Sequence, residues 1–468
     1  MSFPIAYPNL YDYDVYPKVV TTGAESCITI RPLGGRCPFV PGGEYPVTVK
    51  AISGGNPKDY PASGCYVNKT VICDADGCLR VKHTFESEQE YFIDISYTDG
   101  KGAAGKERFH VYCVNDDFKG LYPYIGDLHM HTTRSDGRQC PAVVCANYRR
   151  HGYDFMVVSD HRRYYPSLEA IRAYRDVPVG LSIVCGEEVH MPPVHGQTIA
   201  PHIVNFGGEY SINALVERDD VEPEAVKTEN RSLNGSCPAI ISKEEYENMI
   251  SALADKTQVP DGVDPIVAAG IRWIFDEIRR AKGLAIYPHP TWISDTFHVP
   301  DALHRYIVES SMFDAFEVLG GENYFEQNGY QTVQYYEDMA RGYHYPIVGS
   351  TDSHSSYPTN RNAYICSTIV FAKDKERKTL IDAVKSFRSV AVDTISTEFR
   401  LVGDMRLVRY GCFLLKNYFP IHDEYCYEEG RLMKQYVTGS DEEKAEAARL
   451  LVNLSGRTDA LLKKYFAF

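Results

Sequence analysis

The sequence predicts an α/β protein in which a parallel sheet or barrel is flanked by a β-rich N-terminal region and a helical C-terminal one. Three observations predict it. Up to about residue 120, apolar residues alternate at period two between clusters of Gly, Pro, Asn and Asp. From about Tyr124, short apolar runs alternate with helical patterns. Beyond about residue 395 the pattern is helical.

In residues 1–120 the alternation runs through Tyr45, Val47 and Val49, then Leu79, Val81, His83 and Phe85, then Ile93, Ile95 and Tyr97, and finally Phe109, Val111 and Cys113. Short strands with regular turn signals predict a small sandwich-like domain. A packing or oligomerisation role is favoured over ligand binding, and His83 and His110 read as ordinary strand residues. Residues 121–394 hold seven strand candidates: Ile125 to Leu128, Phe155 to Val158, Leu181 to Val184, Ile203 to Phe206, Leu284 to Tyr287, Ala315 to Val318 and Ile347 to Gly349. One helix has both its ends marked, with Asp264 as N-cap, Pro265 at the first position and Gly283 just past the end. Residues 209–262 interrupt the alternation with acidic, polar sequence and read as an insertion, either a lid or a surface elaboration. In 395–468, Ser440 and Glu443 form a capping-box pattern ahead of Ala447, Leu450 and Leu451.

A chain of 468 residues exceeds one hydrophobic core, and 44% hydrophobic with 24% charged residues is ordinary globular composition. The formal charge of -14 argues against nucleic acid as a partner, because phosphate backbones need a basic face. Metal ions can still make a local positive site. Thirteen cysteines without paired spacing predict reduced thiols in a cytoplasmic protein; one bridge, such as Cys73 with Cys78, is the alternative. The first residues show no basic and apolar leader pattern, so no signal peptide is expected. No apolar run approaches the roughly 20 residues that cross a bilayer, so no membrane partner is expected either.

The chemistry concentrates at strand ends. His129 and His131 stand two apart on one strand, so both side chains point the same way and can grip one ion. Asp136 follows on a Gly-containing turn, and Asp160-His161 ends the next apolar run. Later ends add Glu187-Glu188, His202, His289, Glu317, and Asp352 with His354. Nitrogen donors mixed with carboxylates suit Zn, Mn or Fe better than Ca or Mg. Adjacent Glu187 and Glu188 point to opposite sides of a strand, so only one can face such a site. His190 and His195 are assigned to the loop after Glu188, with a surface role favoured over substrate contact. His151 marks a helix end, and His298, His304, His344 and His422 have no ligand spacing.

Over about residues 124–394 the chain resembles the PHP (polymerase and histidinol phosphatase) family of metal-dependent phosphoesterases. The motifs appear in order as His129-Met-His131, Asp136-Gly, Asp160-His161, Gly186-Glu-Glu188, His202, His289-Pro and Asp352-Ser-His354. The resemblance implies a distorted seven-stranded (β/α) barrel of TIM-like form, with two or three divalent ions. It implies His129, His131, Glu188 and Asp352 on one ion, Asp136, His161 and His354 on a second, and His202 and His289 on a third that Glu188 bridges. It selects Glu188 over Glu187, sets Glu317 as a supporting carboxylate, and leaves Asp127 and Asp160 to orient ligating histidines.

The implied activity is hydrolysis of a small phosphate ester by attack of a metal-bridging hydroxide on phosphorus, with Asp136, Glu188, Asp352 and His354 at the chemistry. Three divalent ions against Asp136, Glu188 and Asp352 leave about +3, which favours an anionic substrate. Arg134 and Arg361 stand beside the ligands as candidate phosphate forks. Arg162 and Arg163 are adjacent, so one at most faces inward. Two other readings are an amide-type hydrolase with a similar metal site and a metal-binding module without catalysis. Polymerase proofreading fits poorly, because the chain lacks a polymerase body. Histidinol phosphatase itself is disfavoured by the insertion and the extra domains. An oligomer is compatible with all of these.

Overall fold

The computed structural model describes residues 6–34, 39–54, 66–98, 102–197, 201–320, 324–357, 366–394 and 400–468. It divides into two compact units. One comprises Met1–Tyr122, Met405–Tyr425 and Gly456–Phe468, and the other Pro123–Asp404 and Cys426–Ser455. The helices after residue 404 are therefore shared between the units.

The first unit holds β1 (Tyr13–Tyr16), β2 (Val19–Thr21), β3 (Glu25–Pro32), β4 (Glu44–Ala51), β5 (Tyr66–Ile72), β6 (Leu79–Thr84), β7 (Gln89–Thr98) and β8 (Ala104–Val114). They form sheets ordered β1-β3-β6 and β2-β8-β7-β4-β5. The period-two pattern has its usual cause, since one face of each sheet is buried. Ile28, Ile30, Leu79 and Val81 from one sheet share a core with Val47, Val49, Ile93, Ile95, Phe109 and Val111 from the other. Cys73 and Cys78 are both buried free thiols, so the alternative of a bridge between them is corrected.

The second unit is a mixed α/β structure. Its strands are β9 (Tyr122–Asp127), β10 (Phe155–Val157), β11 (Ser182–Val184), β12 (Gly186–His190), β13 (His202–Phe206), β14 (Leu284–Tyr287), β15 (Ala315–Leu319), β16 (Ile347–Gly349), β17 (Cys366–Ala372), β18 (Ser389–Asp393) and β19 (Arg400–Val402). Each of the seven strand candidates falls on one of these. They are not one continuous parallel sheet. One sheet is ordered β11-β10-β9-β17-β18-β19 and the other β12-β13-β14-β15-β16. Pairing is parallel among β9, β10 and β11 and among β14, β15 and β16. β13, however, runs antiparallel to both of its neighbours. Single parallel bridges join Met130 to Ser353, beyond β9 and β16, and His161, beyond β10, to Glu188 within β12.

Helices α1 (Pro141–Arg150), α2 (Tyr165–Tyr174), α3 (Lys243–Ala254), α4 (Pro265–Arg280), α5 (Asp301–Glu309), α6 (Tyr324–Ala340) and α7 (Arg377–Lys385) connect the strands. α4 starts as its sequence predicts, with the Asp264 carboxylate accepting from Ile266 N (2.7 Å) and Val267 N (3.4 Å). Ile271, Ile274, Phe275 and Ile278 on its inner face are fully buried, each stabilising by about 1.5–3 kcal/mol. The insertion is built into this core, because Ile212, Leu215, Tyr246 and Ile250 pack in the same apolar cluster as α4. Of the C-terminal helices α8 (Met405–Asn417), α9 (Phe419–Thr438), α10 (Asp441–Leu454) and α11 (Arg457–Tyr465), α10 carries the Ser440–Glu443 capping box. Among the described residues no helix is long and apolar enough to cross a membrane.

Candidate metal centre

The backbone beyond β9 and β16 is held by one buried carboxylate. Asp127 accepts from Thr351 N (3.0 Å), Thr351 Oγ1 (2.6 Å) and His129 N (3.2 Å). His131 N donates to Ser353 O, and Asp352 N donates to His129 O, both at 2.9 Å. This lacing brings His129, His131 and Asp352 together. Asp160 does the same for the next turn, accepting from Thr132 N and Oγ1 and from Ser135 N and Oγ at 2.6–2.9 Å, just before Asp136. Both carboxylates fix the backbone that carries the rings, Asp127 through His129 and Thr351 and Asp160 through Thr132 and Ser135.

Glu188 reaches the cluster from β12. Position 186, two residues earlier, must be Gly, since a Cβ there would run into the Asn205 carbonyl. Because β13 is reversed, its first residue, His202, lies opposite the last residue of β12, His190. That reversal is why His202 opens its strand, whereas His129, His161, His289 and Asp352 follow the ends of theirs.

The result is four overlapping groups: His131, Asp136, His161 and His354; His161, Glu188, His190 and His202; His129, Glu188 and His289; His129, His131 and Asp352. All nine residues expected as ligands from the motifs fall within them. Glu188 is the hub, with Oε1 2.8 Å from His202 Nδ1 and 3.2 Å from His289 Nε2, and Oε2 2.5 Å from His161 Nδ1. Oε2 also stands 3.5 Å from both His129 Nε2 and His131 Nε2, and His129 Nε2 is 3.3 Å from Asp352 Oδ1. Donors sharing a tetrahedral ion with bonds of about 2.0–2.1 Å stand roughly 3.3 Å apart, so the 3.2–3.5 Å spacings fit a shared cation. His129 Nε2 and Glu188 Oε2 are buried without a hydrogen bond, as a site built for a cation requires. The clusters fit divalent metal binding.

The buried carboxylates and imidazoles shift one another's pKa values. Burial raises the pKa of Glu188, yet His161, His202 and His129 outweigh it and hold the carboxyl well below the usual range. Burial lowers His161, but Glu188 and Asp136 lift it to about 10, whereas burial and the neighbouring His161 push His131 down to about 3. Asp127, fully buried, is raised to about 7 despite its hydrogen bonds. His289 and Asp352 adopt positive φ, +27° and +49°, a strained backbone found at two candidate ligands.

Glu317 is fully buried and accepts from His129 Nδ1 at 3.0 Å, behind the ligand face of that ring. Glu187 points away, to Ile212 N (2.5 Å), Ser211 Oγ (2.8 Å) and Asn213 Nδ2 (2.8 Å) at the start of the insertion. The Arg134 guanidinium is forked onto Glu169 at 2.8 Å by two bonds. Arg162 and Arg163 pair with Asp220 and Glu222 of the insertion. Arg361 lies outside the described residues.

His190 is the residue that sequence reasoning assigned elsewhere. It ends β12, and its Nε2 is 2.8 Å from His161 Nδ1. The usable signal was alternation, since His190 stands two residues from Glu188 on one strand. His298 also reaches the cluster edge, its ring 4.5 Å from that of His202. A cavity of about 1100 Å³ bounded by Pro290, Phe297, His304 and Phe316 is separate: Phe316 and Glu317 are neighbours on β15 and face opposite ways.

No family model matches the chain, and no curated protein does. Among solved structures it is similar to a two-domain protein from Bacteroides vulgatus containing a predicted PHP-like metal-dependent phosphoesterase, at 17% identity and TM-score 0.40 over 64% of this chain and 71% of that one. A second, from Bifidobacterium adolescentis and assigned as a metal-dependent phosphoesterase, matches at 16% identity and TM-score 0.31 over 50% of this chain and 90% of that one. A third is an amidohydrolase from Chromobacterium violaceum, at 19% identity and TM-score 0.29 over 50% and 88%. The structural neighbours are PHP-like phosphoesterases and an amidohydrolase, and the likeness is distant.

Proposed function

We propose that this chain is a metal-dependent phosphoesterase that hydrolyses a small phosphate ester, and that seven strands of the second unit, β9, β10, β11, β13, β14, β15 and β16, act as one distorted barrel around the centre. The observation that carries the reading is the buried convergence on Glu188 of donors from both sheets, at spacings suited to shared ions. His129, His131, Glu188 and Asp352 would hold one ion, Asp136, His161 and His354 a second, and His202 and His289 a third with Glu188 shared. Zinc, manganese and iron suit this mixture of imidazole and carboxylate. Such ions supply Lewis acidity toward a phosphoryl oxygen and lower the pKa of an attacking water.

The chain's own residues prepare that chemistry. Glu317 holds His129 with its Nδ1 turned outward and its Nε2 toward the centre. Asp127 and Asp160 rigidify the turns carrying the ligands. Asp136 is the most open member, its side chain 55% exposed, so substrate would enter from its side. Three carboxylates against two or three divalent ions leave net positive charge, which favours a phosphate ester over a neutral amide.

A panel of phosphorylated metabolites assayed with Zn²⁺ or Mn²⁺, and again after chelation, tests this. Phosphate release that requires metal and falls at least about 10³-fold in a His129→Ala/Asp352→Ala double variant is expected. Release of phosphate from none of them, with turnover of amide substrates, would overturn it.

A further inference from the structure

The ligand set implied by the motifs leaves out an imidazole that lies among the ligands. His190 Nε2 is 2.8 Å from His161 Nδ1, and its ring stacks on His202 with centroids 3.8 Å apart and planes at 27°. Donor atoms of His161, Glu188, His190 and His202 all lie within 4.8 Å of one another. Two facing ring nitrogens can share one proton between them, or both can turn lone pairs toward one cation. Glu188 Oε2, buried without a hydrogen bond, lies 2.5 Å from the same His161 nitrogen, so three donor atoms converge there.

We propose that His190 is a direct ligand of the ion held by Glu188 and His202, and that this position selects zinc over manganese. The inference rests on the metal-centre reading above. Adding an imidazole to one carboxylate and one or two histidines makes the position rich in nitrogen, which suits Zn²⁺, whereas Mn²⁺ suits oxygen donors. The insertion fixes this ligand. His190 N donates to Asn213 Oδ1 at 3.2 Å, and its carbonyl accepts from Arg218 Nη1 at 2.8 Å. Arg218 is in turn forked onto Asp220 at 2.5 and 2.6 Å. Residues 213–220 thereby clamp the end of β12 on both of its backbone groups.

The test is metal content and affinity of the full chain, measured by elemental analysis and chelator competition with Zn²⁺ and Mn²⁺ for wild type, His190→Ala and His190→Cys. Removing a residue that only orients a ligand costs about 10–100-fold in affinity, so a true ligand is expected to cost more than about 100-fold for one zinc equivalent. His190→Ala should show that loss while the other equivalents stay within a few fold. His190→Cys, with a soft thiolate, should restore zinc but not manganese. Two results would overturn the proposal: a loss of 100-fold or less in His190→Ala, or a larger loss that His190→Cys fails to reverse. Melting of the metal-free proteins monitors the fold, and the Cys variant decides the case if the Ala variant melts lower. Wild-type protein that binds no metal would instead refute the centre as a whole.

Discussion

Glu317 offers the sharpest single-residue test of the centre. Its Oε2 takes the Nδ1 proton of His129 at 3.0 Å, and both side chains are fully buried. A hydrogen bond to a charged group is worth about 1.5–3 kcal/mol, against about 0.5–1.5 kcal/mol for a neutral pair. Glu317→Gln keeps an acceptor and loses the charge, so about 1–1.5 kcal/mol of ligand basicity and orientation goes. That corresponds to about a tenfold weaker ion at His129. Glu317→Ala leaves the Nδ1 proton without an acceptor in a dry site, which costs about 2–2.7 kcal/mol, or roughly 30–100-fold. Chelator competition with Zn²⁺ reads both values directly. Affinities within twofold of wild type in both variants would refute the reasoning. So would loss of a whole metal equivalent in Glu317→Gln, which would make Glu317 a ligand in its own right.

Three further outcomes follow from buried charges. Glu187→Ala removes the acceptor for Ile212 N, Ser211 Oγ and Asn213 Nδ2 and should lower urea stability by about 3–5 kcal/mol, with faster proteolysis near residue 212; unchanged stability would count against it. Glu429→Gln strips the fully buried Arg149 of one of its charged partners, at 2.7 Å, leaving it Asp154 at 3.1 Å, and should cost about 3–5 kcal/mol in the same denaturation assay; unchanged stability would refute this. Lys18 is fully buried, and burial pushes its pKa down to about 7 although Asp14 opposes the shift. Between about pH 7 and 10.4 the unfolded chain binds the extra proton, so native stability rises with pH there, and the penalty is fully present below pH 7. Lys18→Met should therefore exceed wild type by up to about 4–5 kcal/mol near pH 7, with a gap that closes towards pH 10.4; a gap independent of pH in urea titrations would refute this.

The candidate ligands were legible because strand ends expose donors that a helix or core position would hide. His129 and His131, Asp160 and His161, His289, Asp352 and His354 each follow an apolar run. β12 was not legible. It begins one residue after β11, and Gly186-Glu-Glu-Val-His is polar where a strand reads as apolar, because its inward face is the site itself. The reversal of β13 did leave a trace. Parallel strands need a crossover of a dozen or more residues, usually helical, and the segment between β12 and β13 is shorter and contains Pro192-Pro193. The antiparallel pairing of β17 with β18 has no place in a strand–helix alternation. The tie of Arg134 to Glu169 was not legible either, because the two stand 35 positions apart and no local pattern announces such a pair.

The alternation along β12 also decides what the insertion can do. Glu188 turns into the centre, while Glu187 turns outward into the first turn of the insertion. Asn213 joins the two sides, since its Nδ2 lies 2.8 Å from Glu187 Oε2 and 3.3 Å from the Glu188 carbonyl. A lid hinged at 211–213 would have to break the bonds of a buried carboxylate each time it opened. At about 3–5 kcal/mol the open state would be populated at about 1% or less. Its first turn is thus a fixed wall of the site. Any opening on the timescale of turnover must come from the stretch beyond Arg218, whose ties to Arg162 and Arg163 are surface ion pairs, generally worth about 0–1 kcal/mol each.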